Sequence, residues 1–166
     1  MEKHDFIPLP LLFLLGLFLG VLSRLLDLYT TNLGNIFSQL AIWILLGVIL
    51  SLRCSTPQKA MIHVFLFCMG MLLSYYAVAI LTQGVYSRTI MIGWTIFAFF
   101  SPVFAYFAWL TKKTGIFSFL LRIGILLVSI FSSIVLFDGF RVYDMIINGI
   151  LFYVLFFQKK GNYNLK

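Results

Sequence analysis

Two short segments of this sequence combine arginine with aspartate in a chain that carries few other charges. In the segment LLGLFLGVLSRLLDLY, Arg24 precedes Asp27 by three positions. In the segment DGFRVYD, Arg141 lies three positions from both Asp138 and Asp144. Residues with this spacing are neighbours on a helix, and the planar guanidinium group of arginine suits paired hydrogen bonds to a carboxylate. Charged groups within a membrane mark a functional site or a structural ion pair, and these segments are candidates for both.

The rest of the sequence indicates which elements position these residues. The chain has 166 residues, of which 62% are hydrophobic and 10% are charged. A water-soluble domain of this size cannot bury so much apolar surface. Long uncharged runs instead fit helices that cross a hydrocarbon core of about 30 Å at about 1.5 Å per residue. We predict one all-α membrane domain over residues 1–166, with six transmembrane helices near residues 7–26, 34–52, 60–82, 90–110, 116–137 and 142–158.

The distribution of basic residues predicts the orientation of these helices. With the amino terminus inside, the inner segments hold Lys3, Arg53, Lys59, Lys112, Lys113, Lys159, Lys160 and Lys166, whereas the outer segments hold Arg24, Arg88 and Arg141. Cytoplasmic loops carry an excess of lysine and arginine. We therefore expect a multi-pass protein of the plasma membrane with both termini in the cytoplasm. This topology also accounts for the net charge of +7, so the expected partner of the basic residues is the lipid bilayer and not nucleic acid.

Several polar residues are predicted to lie at the same depth, near the outer ends of the helices. We expect them to line an outward-facing polar vestibule in which arginines bind an anionic or amide group and tyrosines stack on the ligand. The alternative is a set of structural ion pairs with an interfacial belt of aromatic residues. The candidate ligand-binding residues are Arg24, Asp27, Gln39, Tyr75, Tyr76, Arg88, Asp138, Arg141, Asp144 and Asn148.

Small residues at helical spacing predict where helices approach closely. Gly16 and Gly20 form a G-x-x-x-G motif in the first span, with Ser23 three positions further on. Gly70 and Ser74 repeat the pattern in the third span. Such motifs bring helix backbones together in membranes. The motif in the first span either packs within this bundle or docks the chain onto a separate membrane subunit.

The sequence offers few residues for catalysis or metal binding. His4 and His63 have no further ligand at a spacing typical of metal sites. Cys54 and Cys68 are interpreted as packing residues, since nothing in their surroundings indicates a nucleophile. Phosphate-binding loops and hydrolase motifs are missing from the sequence. We therefore assign no catalytic residue, no metal and no cofactor.

Three segments resemble an uncharacterised family of small bacterial integral membrane proteins. They are SQLAIWILLGVIL beginning at Ser38, SYY beginning at Ser74, and GWTIFAFFSPVFAYFAW beginning at Gly93. The resemblance implies a multi-pass membrane fold and brings no activity with it.

A second resemblance concerns architecture alone. Six helices, cytoplasmic termini and small residues in the first helix are similar to the substrate-binding subunits of energy-coupling-factor vitamin transporters. This resemblance implies binding of a micronutrient from the outer face and docking through the first helix, with Gly16 and Gly20 at the positions where alanines are usual.

We thus expect a small-solute binding or transport component. A structural, accessory or immunity-type membrane protein that acts through helix contacts is the main alternative. A membrane-embedded transferase that uses the outer carboxylates is a further one.

Overall fold

The computed structural model of the protein describes residues 8–30, 36–37, 39–82, 88–136 and 141–157. These residues form helices and connecting turns, and they contain no strand. The helices of 14 residues or more are α1 (Leu9–Tyr29), α2 (Leu40–Arg53), α3 (Pro57–Leu81), α4 (Arg88–Leu110), α5 (Ile116–Leu136) and α6 (Val142–Phe156). The predicted all-helical fold class is confirmed. Each helix overlaps one of the predicted spans.

Four of these helices are long and apolar enough to cross a membrane. They are α1, α3, α4 and α5. Helices α2 and α6 are apolar but shorter, with 14 and 15 residues. At about 1.5 Å per residue they reach roughly 21–23 Å, less than a hydrocarbon core of about 30 Å. The described structure therefore supports a membrane protein, while the number of crossings and their orientation stay predictions.

Local signals explain where the helices begin and end. Helix α1 begins after Pro8, and a further proline lies in its first turn, where a missing N–H removes no helical hydrogen bond. Helix α3 begins three residues earlier than predicted because the Thr56 hydroxyl accepts a hydrogen bond from the backbone N–H of Lys59 at 3.3 Å. Lys59 thus belongs to the first turn of α3. Thr30 closes α1, and its hydroxyl donates to the Leu26 carbonyl at 2.7 Å.

Helices α1 and α3 pack together through their small residues. A side-chain carbon added at Gly16 or Gly20 would collide with the α3 backbone at Phe67 and Met71, far inside ordinary contact distance. In return, a carbon added at Gly70 would lie 2.7 Å from the Phe13 carbonyl oxygen of α1. Residues of rising number on α1 meet residues of rising number on α3, so the two helices run parallel.

The remaining helices pack in a chain of contacts that begins at α3. Helix α3 also packs against α2 and α4, and α2 in turn contacts α4, α5 and α6. Trp43, Phe67 and Met71 belong to a core cluster at the α2–α3 contact. Ala41 and Ile147 belong to a second cluster, in which α2 meets α6. Helix α2 therefore separates the α1–α3 pair from α6.

Candidate functional site

The first polar cluster, here called the Arg24 cluster, consists of Arg24, Asp27 and Tyr75. The Arg24 Nη1 atom lies 2.8 Å from Asp27 Oδ2 in an ion pair within α1. The Tyr75 hydroxyl of α3 donates to the same carboxylate oxygen at 3.2 Å. The Arg24 guanidinium also lies over the Tyr75 ring, 5.6 Å from its centroid. This cluster joins the ends of α1 and α3 beyond the glycine contacts.

The charges of the Arg24 cluster are paired, and one of its buried atoms, Arg24 Nε, has no hydrogen-bond partner. Arg24 is buried, and its charge is balanced by Asp27, whose side chain is 32% exposed. Tyr76 packs edge-on against the Tyr75 ring, with centroids 5.3 Å apart. Buried charges are tolerated where they are paired and hydrogen-bonded. The geometry therefore fits a structural ion pair that fastens α1 to α3.

The second polar cluster, here called the α5–α6 seam, consists of Ser129, Ser133, Asp144 and Asn148. Asp144 has no exposed surface, and its Oδ1 atom accepts a hydrogen bond from Ser133 Oγ of α5 at 3.0 Å. Its Oδ2 atom accepts from the backbone N–H of Arg141 at 2.9 Å, which caps the start of α6. One turn further along α6, Asn148 Nδ2 donates to the Asp144 carbonyl at 2.9 Å.

Two atoms of the seam have no hydrogen-bond partner. They are Ser129 Oγ, in a residue with no exposed surface, and Asn148 Oδ1, in a residue that is 6% exposed. Ser129 precedes Ser133 by one helical turn on α5, and Asn148 follows Asp144 by one turn on α6. Because α5 and α6 form a hairpin that the Ser133–Asp144 bond holds together, these atoms lie on the same side of that bond, about 6 Å further along the helices.

Gln39 is another buried polar group without partners. It precedes the first residue of α2, is 1% exposed, and neither its Oε1 nor its Nε2 atom is hydrogen-bonded. Ala41 and Ile147, which neighbour Gln39 and Asn148 in sequence, belong to the same apolar cluster. Gln39 therefore lies at the start of the helix that packs against α6.

The described candidate residues include two separate clusters, and a single outward-facing vestibule stays a prediction. No hydrogen bond between described residues links the Arg24 cluster to the seam, and α2 lies between the helices that carry them. The Arg141 guanidinium is exposed and donates to the Tyr143 hydroxyl at 2.6 Å, so Arg141 meets Asp144 through its backbone. Asp138 and the Arg88 side chain lie outside the described residues, although Arg88 is the first residue of α4.

The glycine face of α1 is occupied by α3 of the same chain. Gly16 and Gly20 approach the α3 backbone, and Ser23 on the same face is 2% exposed. A separate membrane subunit would have to contact a different face of α1. Docking of a partner through this helix stays a prediction.

A buried contact between Cys54 and His63 was not predicted from the sequence. The Cys54 Sγ atom lies 3.0 Å from His63 Nδ1 and 3.3 Å from the Leu50 carbonyl oxygen. The Cys54 carbonyl accepts hydrogen bonds from Trp109 Nε1 at 3.2 Å and Lys112 Nζ at 2.5 Å. The short turn between α2 and α3 is the feature of the sequence that could have predicted this contact, because it brings residue 63 back towards residue 54. These bonds tie the α2–α3 turn to the end of α4.

A basic residue of the next helix also binds at the end of α4. Arg122 of α5 is buried, and its Nε and Nη2 atoms donate to the Thr111 carbonyl at 3.2 and 2.6 Å. Ser118 Oγ donates to the same oxygen at 2.8 Å. The last carbonyl groups of a helix lack partners within the helix, and Arg122 supplies one from the next helix.

The fold and these polar contacts define a helical bundle of the membrane type. A family profile matches residues 3–139. The chain therefore belongs to the family of unknown function DUF6518. The match covers α1 to α5, and α6 with Asp144 and Asn148 follows it. No curated protein and no solved structure matches the chain.

Proposed function

We propose that this chain is a multi-pass protein of the plasma membrane that binds a small polar solute at the α5–α6 seam, as a component of transport. All six helices cross the membrane in this proposal, and both termini lie in the cytoplasm. Of the predicted ligand-binding residues, the proposal retains Gln39, Asp144 and Asn148 for binding and assigns Arg24, Asp27 and Tyr75 to helix packing.

The observation that carries the proposal is the pair of unpartnered atoms in the seam, Ser129 Oγ and Asn148 Oδ1. A buried polar atom without a hydrogen bond costs roughly 1–3 kcal/mol. Two such atoms cost roughly 2–6 kcal/mol, which is large beside the 5–15 kcal/mol that typically stabilise a folded protein. A solute bound between Ser129 and Asn148 recovers this free energy. The neighbouring Asp144 marks the same place, since buried carboxylates in membrane helices usually serve a function.

The parallel arrangement of α1 and α3 supports the proposed topology. Helices that run parallel and contact each other along their length must be joined by a connection that returns across the bundle. Helix α2 lies in that connection and packs against α3. If α1 and α3 both cross the membrane, α2 must therefore cross it in the opposite direction, even though α2 is short. The excess of lysine and arginine in the segments assigned to the cytoplasm then sets the orientation.

Thermal unfolding of the detergent-purified protein tests the proposal. The protein is screened against amino acids, nucleosides, vitamins and inorganic ions, and one class is expected to raise the unfolding midpoint because it binds the folded state alone. The same solute is expected to accumulate in vesicles that contain the protein, together with any partner that completes transport.

Ser129→Ala and Ser51→Ala form a matched pair for this screen. Both serines are fully buried in helices, but Ser51 Oγ donates to the Gly47 carbonyl of its own helix at 2.7 Å, whereas Ser129 Oγ has no partner. We expect Ser129→Ala to abolish the ligand-induced shift and Ser51→Ala to retain it. Equal shifts in both variants, or flat midpoints across the whole panel, would contradict binding at the seam.

A further inference from the structure

The charge of the seam distinguishes between ligand classes. Asp144 is completely buried, and its two oxygens accept hydrogen bonds from a serine hydroxyl and a backbone N–H, both of which are neutral donors. The nearest arginine in the sequence, Arg141, directs its guanidinium to Tyr143 instead. Among the described residues no ion pair involves Asp144. Within the described part of the chain, no lysine or arginine side chain pairs with the Asp144 carboxylate.

Two unpartnered oxygens lie about one helical turn from this carboxylate. They are Ser129 Oγ and Asn148 Oδ1. The Asn148 atom is a carbonyl oxygen, which accepts hydrogen bonds and cannot donate them, and the Ser129 hydroxyl oxygen has lone pairs that accept as well as a hydrogen to donate. A carboxylate oxygen also retains lone pairs after it has accepted one hydrogen bond. The seam thus presents acceptors and a negative charge, which repel an anion and suit a cation.

From this arrangement we infer that the solute of the proposed binding function is a monovalent cation, held by Asp144, Asn148 and Ser129. The shared chemistry is a single positive charge that oxygen atoms surround, as in an alkali metal ion or the ammonium group of an organic amine. One carboxylate balances one such charge. A divalent ion would retain a net positive charge in a buried site, and calcium prefers six to eight oxygen ligands with several carboxylates. The inference rests on the proposed function and deepens it.

The experiment compares unfolding midpoints of the detergent-purified protein in four chloride salts at equal ionic strength: sodium, potassium, methylammonium and choline. Choline serves as the reference because its quaternary nitrogen has no N–H to donate. We expect sodium, potassium or methylammonium to raise the midpoint by about 5 °C over choline near saturation. A rise with an alkali ion alone assigns an ion site, and a rise with methylammonium alone assigns an amine site.

Three variants locate the effect. Asp144→Asn keeps the side-chain shape and removes the charge, so we expect it to lose the cation-dependent rise, whereas Asp27→Asn in the Arg24 cluster is expected to keep it. Ser129→Ala leaves the Ser133–Asp144 hydrogen bond in place, so it tests the site even where Asp144→Asn fails to fold. Equal midpoints in all four salts, or a rise that survives Ser129→Ala, would overturn the inference.

The outcomes for the two proposals can be distinguished. If a neutral or anionic solute raises the midpoint and Ser129→Ala removes that rise, the seam binds a solute and the cation assignment is wrong. If neither solutes nor cations change the midpoint, both the binding function and the cation assignment are wrong.

Discussion

The contact between α1 and α3 gives a quantitative prediction for Gly70→Ala. The added carbon would lie 2.7 Å from the Phe13 carbonyl oxygen and 3.2 Å from the Leu17 nitrogen. Carbon–oxygen contacts are normally about 3.3–3.6 Å, so the helices must separate locally by roughly 0.6–0.9 Å. A gap of that size loses about a quarter to a half of the dispersion attraction between facing atoms.

The expected net effect follows from two opposing contributions. Overpacking of this kind typically costs about 1–3 kcal/mol, and the replacement of a helical glycine by alanine returns about 0.5–1 kcal/mol. We therefore expect Gly70→Ala to lower the free energy of unfolding by up to about 2.5 kcal/mol. The same change at Gly16 or Gly20 should lower it further, because the added carbon would lie closer still to the α3 backbone.

Gly93→Ala provides the control for this prediction, measured by denaturant or thermal unfolding in the same micelles. A carbon added at Gly93 in α4 would meet no atom within 4 Å, so we expect unchanged or slightly increased stability, by up to about 1 kcal/mol. If Gly70→Ala and Gly93→Ala change the stability in the same direction, the close α1–α3 contact is refuted.

Three further predictions concern single polar contacts, each measured by unfolding in micelles. Tyr75→Phe removes the hydroxyl that donates to Asp27, so we expect a loss of about 1 kcal/mol, and no loss would show that this bond contributes nothing. Arg122→Lys replaces the two N–H groups that reach the Thr111 carbonyl with a single ammonium group, so we expect a loss of about 1–2 kcal/mol, which a stability equal to wild type would contradict. Ser133→Ala removes one of the two hydrogen-bond donors to the buried Asp144 carboxylate of the seam. We expect it to lower the free energy of unfolding by about 1–3 kcal/mol. An unchanged stability would place that carboxylate in a more polar environment than the structure shows.

The positions of the helices were predictable from the sequence because long apolar runs can be accommodated only as helices in a bilayer. The ends were harder to predict. The third span was expected to begin after Lys59, since charges were assigned to loops, but the hydroxyl of Thr56 caps the helix and places Lys59 within it. A long lysine side chain can extend from the first turn of a helix to the polar headgroups. A charge next to a span is therefore a poor marker of where the helix begins.

The candidate site was predictable only where its residues are close in sequence. The bond between Arg24 and Asp27 follows from a spacing of three residues on one helix. The bond between Ser133 and Asp144 depends on how α5 and α6 face each other, which the spacing of residues within one helix does not specify. Likewise, the contact between Cys54 and His63 depends on the turn geometry. Contacts between helices require the packing arrangement, which the apolar pattern of a membrane helix does not specify.

The ion pair in α1 has a consequence for the synthesis of the protein. Arg24 and Asp27 neutralise each other within a single helix, whereas Tyr75 lies 48 residues beyond Asp27. A ribosome that adds 5–20 residues per second needs roughly 2–10 s to make that stretch. During this interval the first helix carries its own counter-charge, so it can leave the translocon for lipid before the helix that will cover its glycine face has been translated.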